Sequence, residues 1–320
     1  MEKREINTTH LRITAWVVLA LCTAAAVFSV MLRYDEIIKQ PDEYIPAESH
    51  NAVISENKPD VSLEKYDGTV IFDPIIDGDG VNDVPTVKEF LRNALEPIGS
   101  CLYVYGGGWN EEDTGAGIEA VTVGVSPAWA DFFDSNDGSY NHKNALYRIH
   151  DGLDCTGYVG YAAYQVFGDR YSDKGYVFAS GKVGEEFLSL FGGEIIQNKE
   201  IERYRAGDIM VKDGHVWLVI GECADKSVLF AHASPPCLTL SGTCTPDGNK
   251  YSEALALAEK YMRLIAPEAY SRYPSNCSRG MSYLTEYDMY RFPENVLWDP
   301  DGLRSMNADE IMEKLVSDEE

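Results

Sequence analysis

The chain has 320 residues, 45% of them hydrophobic, including 20 Tyr and 11 Phe. That is enough apolar material for one large domain or two small ones, and it is unlike a disordered segment. Against 27 Lys and Arg stand 52 Asp and Glu, a formal charge of −25; this argues against nucleic acid as a partner, because a phosphate backbone rewards cations, and against electrostatic docking on anionic lipid or wall polymers.

Residues 13–32 (ITAWVVLALCTAAAVFSVML) contain no charge. At about 1.5 Å per residue they span about 30 Å, the thickness of a bilayer's hydrocarbon core. A cleaved secretory signal normally has a shorter apolar region, and the residues after Ala24, Ala25 and Ala26 are still apolar, so the expectation is an uncleaved anchor. Lys3, Arg4 and Arg12 before it and Arg33 and Lys39 after it give only a slight positive-inside bias. The simplest organisation is a cytoplasmic tail at 1–12, a transmembrane anchor at 13–33, and everything beyond it outside the cell membrane. Residues 34–83, rich in Asp, Glu, Pro and Asn, read as an acidic stalk with a short strand at Thr69-Val70-Ile71-Phe72.

The folded domain is expected over 84–298, followed by an acidic tail at 299–320 with one short helix at 308–316. Val84-Pro85-Thr86-Val87 opens an amphipathic helix with Val87, Phe90, Leu91 and Leu95 on one face, ended by Pro97 and Gly99. A strand at Leu102-Tyr103-Val104-Tyr105 is halted by three glycines. A long polar loop, 109–150, precedes Gly152-Leu153-Asp154-Cys155, which leads into a helix ending at Gly168. Apolar segments at 209–211, 215–220 and 227–231 read as a meander of strands, residues 253–265 as a late helix, and 287–292 as a closing strand. This order of elements gives an α+β domain with a segregated antiparallel sheet.

The chemistry centres on Cys155. Asp154 is a preferred N-cap, which places Cys155 in the first turn of a helix, where free N–H groups and the positive dipole end stabilise a thiolate. His215 opens one strand and His232 closes the next, so a hairpin makes the two imidazoles neighbours, and a helix packed across that sheet brings Cys155 to them. Each residue alone is more often an ordinary core side chain; the three at consistent element ends are not. Of the other cysteines, Cys22 lies in the anchor, no CxxC pair occurs, and Cys237 and Cys244 are near enough in sequence to close a small loop, without the sequence fixing any pairing. His142, His150, His215 and His232 show no HExxH spacing, and neither a metal nor a cofactor is called for. Trp109 and Trp129 read as loop anchors rather than as a binding platform.

Tyr103-Val104-Tyr105-Gly106-Gly107, Asp154-Cys155-Thr156-Gly157-Tyr158-Val159, Gly207-Asp208-Ile209-Met210, and His215-Val216 followed by His232-Ala233-Ser234 occur in that order. Together they resemble the NlpC-type cell-wall peptidases, papain-like enzymes that cut peptidoglycan stem peptides. The resemblance implies a papain-like domain with a central antiparallel sheet and the catalytic helix packed on it. It assigns Cys155 as nucleophile, His215 as base and His232 as the residue that orients it, with Tyr103 and Asp154 at the substrate and oxyanion side. The implied activity is hydrolysis of the amide between D-glutamate and the diamino acid of a stem peptide. A related amidase or acyltransferase, or an inactive wall-binding module, are the alternatives. Thr156 and Leu153 depart mildly from the family pattern, Trp217 stands where Gly is common, and the 17 positions from His215 to His232 require a larger turn at 221–226. Insertions at 109–150 and 235–280 are expected to border the cleft.

Overall fold

A computed structural model describes residues 84–317. The expected anchor, stalk and strand at 69–72 lie outside the described residues. Among the described residues, no helix is long and apolar enough to cross a membrane.

The architecture is α+β: a curled mixed sheet with helices. Helix α1 (Val87–Leu95) starts in a capping box, where Thr86 Oγ1 accepts from the Glu89 N–H and the Glu89 carboxylate accepts from the Thr86 N–H. Its apolar stripe of Val87, Phe90, Leu91 and Leu95 is fully buried. The strands are β1 (Leu102–Tyr103), β2 (Gly152–Leu153), β3 (Glu194–Ile196), β4 (Ile209–Lys212), β5 (His215–Glu222), β6 (Val228–Ser234), β7 (Cys237–Thr243), β8 (Ser278–Arg279) and β9 (Asp288–Arg291). Their spatial order is β2-β1-β7-β6-β5-β4-β9-β3, with β8 beside β7. The expected antiparallel pairing holds from β1 through to β3, but β2 and β8 join in parallel, which makes the sheet mixed.

Period-2 alternation splits the central strands between two cores. Val216, Leu218, Ile220, Leu229, Ala231, Leu238 and Leu240 share a core with α1, α3 (Cys155–Phe167), α4 (Val183–Phe191) and α5 (Glu253–Ile265). On the other face Trp217, Val219, Val228 and Phe230 pack against Tyr283, Tyr287 and Met289. Tyr283 lies in the short helix α7 (Ser282–Thr285). Trp217 is wholly buried there, with its ring 4.5 Å from that of Phe230 and 5.9 Å from that of Tyr283.

Two expectations are corrected, and the open pairing of Cys237 and Cys244 is resolved. Residues 237–243 belong not to a cleft-side insertion but to the middle of the sheet, where β7 pairs with β6 from Leu229↔Gly242 to Ser234↔Cys237. The segment at 308–317, expected as part of an acidic tail, is helix α8 (Ala308–Ser317) with Ala308, Ile311 and Met312 fully buried, so the packed domain runs past 298. A Cβ on Gly221 would lie 2.7 Å from Ile311 Cδ1, so α8 crosses β5 where only glycine leaves room. Finally, Cys237 opens β7 and Cys244 directly follows it, about 23 Å apart at about 3.3 Å per residue, far beyond disulfide reach; both are free thiols.

The insertion at 109–150 is built rather than loose. Helix α2 (Pro127–Asp134) sends Trp129 into the core, edge-on to Tyr161 at 5.3 Å. Arg272, from α6 (Pro267–Arg272) in the second insertion, donates to Phe133 O and Asn136 O and ties the two insertions together.

On the far side of the sheet, Asp208 is buried and accepts from Arg291 through both oxygens, Nε–Oδ1 and Nη2–Oδ2, each at 2.8 Å, and from the Arg205 N–H at 2.7 Å. Removing one partner of such a pair strands the other charge away from water. Asp208→Ala is expected to lower the free energy of urea unfolding by about 3–5 kcal/mol; a loss under about 1 kcal/mol would show that the pair does not brace β4 against β9.

Candidate active site

Cys155 is the first residue of α3, and three local features hold it there. Asp154 caps the helix: its Oδ1 accepts from the Gly157 N–H at 2.7 Å and from Thr156 Oγ1 at 2.9 Å, and its Oδ2 accepts from the Gly106 N–H at 3.3 Å. Thr156 Oγ1 in turn accepts from Trp109 Nε1 at 3.0 Å, so the first insertion is fastened to the helix start. The glycine turn at 106–108 then closes on that start with no space for side chains. A Cβ on Gly107 would meet Gly152 O at 2.3 Å, and one on Gly157 would meet Gly107 O at 2.1 Å. Cys155 is 8% exposed.

Tyr103 sits beside this helix start through β1, paired with Leu153 two residues before the cysteine. Its ring stands edge-on to His142 at 5.7 Å. Asp154 is also placed there, but both its oxygens are engaged by the cap and the glycine turn, so it holds the backbone that presents the thiol.

The histidines form a second cluster, which strand alternation sets on the face of the sheet opposite α3. His215 Nε2 lies 2.9 Å from His232 Nδ1, and His232 Nε2 lies 3.2 Å from Ser241 Oγ. Continuing the register of Leu218↔Ala231 sets Trp217 opposite His232, with His215 two residues nearer the strand end on the same face. Tyr283 packs on both imidazoles, at 5.9 Å from each, and Tyr287 on that of His215 at 6.3 Å. His232 is fully buried, and this burial, followed by the Arg279 cation and then His215, holds its pKa well below the usual imidazole range. Helix α3 packs across β5 and β6, the two strands that carry the imidazoles.

The other thiols differ in character. Burial pushes those of Cys101 and Cys223 up, and those of Cys237 and Cys277 up to about 12, so they stay protonated at neutral pH. His142 and His150 stand apart from the pair; His150 lies 2.6 Å from Glu119 at the surface. Among the described residues, the donors spaced closely enough for a metal are Cys223, Asp225 and Glu253. Their carboxylates already accept from the N–H groups of Ala224, Glu253 and Ser227, which makes them a helix-start hydrogen-bond lattice. A cleft of about 450 Å³ opens beside Gly106, lined by Trp109, Tyr147, Arg148, His150 and Asp151 among others.

Ser241, Asn276 and Arg279, which stand behind His232, went unread in the sequence. The available signal was the alternation Thr239, Ser241, Thr243, a polar row on the face that carries His232. No family model, no curated protein and no solved structure matches the chain.

Asp154 supplies a pH test. Burial outweighs its hydrogen bonds and raises its carboxyl to about 6, from about 3.8 when unfolded. A raised carboxyl binds more protons folded than unfolded between those values, so this contribution is full below about pH 4 and is lost as pH rises through 6. The stability of Asp154→Asn relative to wild type should therefore rise between about pH 4 and pH 7, by on the order of 2–3 kcal/mol. A difference in denaturation midpoints that does not change with pH would contradict this.

Proposed function

We propose that this protein is a cysteine peptidase of the papain-like, NlpC type, anchored in the cell membrane by residues 13–33 with its catalytic domain outside, and that it hydrolyses peptidoglycan stem peptides. The observation behind this reading is the buried His215–His232 contact at 2.9 Å on the sheet that α3 crosses with Cys155 at its capped start. A thiol at a helix N-terminus, an imidazole and a second group that orients it are the parts nucleophilic acyl transfer requires.

In this mechanism Cys155 gives its proton to His215 Nδ1, forming a thiolate and an imidazolium. The sulfur attacks the amide carbonyl between D-glutamate and the diamino acid. The N–H groups at the start of α3 stabilise the oxyanion, with Tyr103 beside them. His215 returns the proton to the departing amine nitrogen as the C–N bond breaks, which leaves a thioester on Cys155. Water, deprotonated by His215, then cleaves the thioester to a carboxylic acid and the free thiol. Strand alternation sets the imidazoles on the face opposite α3, so the sulfur must reach His215 around the open end of β5. The mechanism requires that approach, past His215 as the first residue of β5.

Two outcomes follow. Incubated with defined muropeptides, the full chain in detergent should release fragments cut at the D-glutamyl bond, seen by mass spectrometry. Cys155→Ala should abolish this, and His215→Ala should reduce it by about 10³-fold or more. Equal cleavage by Cys155→Ala would rule the reading out. Separately, iodoacetamide at neutral pH should modify Cys155 far faster than free cysteine and spare Cys101, Cys237 and Cys277. An unreactive Cys155 would point to a wall-binding module without turnover.

A further inference from the structure

Behind the histidine pair lies a buried polar chain that the proposed mechanism does not use. Ser241 Oγ donates to Asn276 O at 3.0 Å. Arg279 Nη1 donates to the same carbonyl at 2.7 Å and to Ser278 O at 2.8 Å, and its Nη2 donates to Asn276 Oδ1 at 3.0 Å. Arg279 is 3% exposed, and the acceptors of these bonds are all neutral carbonyl or amide oxygens. A guanidinium without a counter-ion at that depth is costly to keep unless it has a task.

We propose that Ser241, Asn276 and Arg279 are positioning residues: a relay that fixes which nitrogen of each imidazole carries its proton and so turns the lone pair of His215 toward Cys155. This rests on the reading of Cys155 and His215 as nucleophile and base.

Counting protons gives the direction of the relay. A serine hydroxyl has one, and that of Ser241 goes to Asn276 O, so toward His232 Nε2 it can only accept. His232 therefore carries its proton on Nε2 and its lone pair on Nδ1. Across the 2.9 Å contact the shared proton must then belong to His215 Nε2, which leaves the His215 lone pair on Nδ1. Arg279 keeps the direction. Its forked grip on both oxygens of Asn276 orients the carbonyl toward Ser241, and its charge opposes a second proton on His232. Were His232 doubly protonated, two N–H groups would face each other at 2.9 Å and His215 would turn away. A neutral His232 instead accepts from His215 Nε2 both before and after His215 takes the thiol's proton. The groups facing His232 are His215 from β5, Ser241 from β7, Arg279 from β8 and Tyr283 from α7; none is an anion that would offset the guanidinium.

The test is the ring-nitrogen NMR spectrum of the full chain, labelled with ¹⁵N-histidine in detergent micelles, from about pH 5 to pH 8. The expected result is a His232 that stays neutral and protonated on Nε2 throughout. A His232 that is charged in this range, or protonated on Nδ1, overturns the relay, and that result comes from the wild-type protein without any variant having to fold. Ser241→Ala should let the Nδ1–H form of His232 appear and slow alkylation of Cys155 by about tenfold or more. Arg279→Gln should move the acid limb of the alkylation profile to higher pH. Unchanged tautomer and rate in Ser241→Ala would also overturn the proposal. If wild-type Cys155 alkylates no faster than free cysteine, it is the peptidase reading that fails, while the nitrogen spectrum still decides the relay.

Discussion

The start of α3 is held by backbone against backbone. The glycine turn at 106–108 lies so close to Gly152 and Gly157 that a Cβ on Gly107 or Gly157 would overlap a carbonyl oxygen, and Asp154 bridges turn and helix from within. Close-packed backbone has no soft rotamers to absorb a displacement, so the first residue of the helix is fixed more firmly than a side-chain contact could fix it. Thr156 extends the same clamp to Trp109, which makes the first insertion part of the frame that presents Cys155. The thiol's surroundings, the cleft beside Gly106 and the placement of Tyr103 all inherit their geometry from this docking.

The imidazole side is built on a different principle. It is a polar chain enclosed by aromatic rings, with Trp217, Phe230, Tyr283 and Tyr287 excluding water from behind His215 and His232. In such a low-dielectric setting a hydrogen bond is strong and an unsatisfied one costly, so the chain must run in one direction to its end. Its end lies in β8 and the turn before it, residues that an insertion supplies. The segment at 235–280 thus does structural service for the histidines.

Much of the helix start was legible in the sequence because it is local: Asp before Cys, a run of small and apolar residues after it, and Gly168 at the end are all within one element. The two histidines were legible because strand ends and a short connection leave few alternatives for their pairing. What escaped reading is non-local. β7 alternates Leu238 and Leu240 with Thr239 and Ser241, yet it was absorbed into an insertion, since nothing local shows that it pairs with both β6 and β1. Helix α8 was recognised as a helix, but its acidic surface concealed an apolar stripe, Ile311, Met312 and Leu315, that packs on β5 only because Gly221 has no side chain. Arg279 gave no signal at all, because a buried arginine and a surface arginine read alike until the elements around them are assembled.

The proposed chemistry requires that the sulfur of Cys155 share a proton with His215. Thiolate absorbance near 240 nm, taken as the difference between wild type and Cys155→Ser and followed with pH, reports on this without a substrate. The expected result is an ionisation midpoint well below the ordinary thiol value of about 8.5, returning to that value or above in His215→Ala. A wild-type midpoint at or above about 8.5, unmoved by loss of His215, would contradict it.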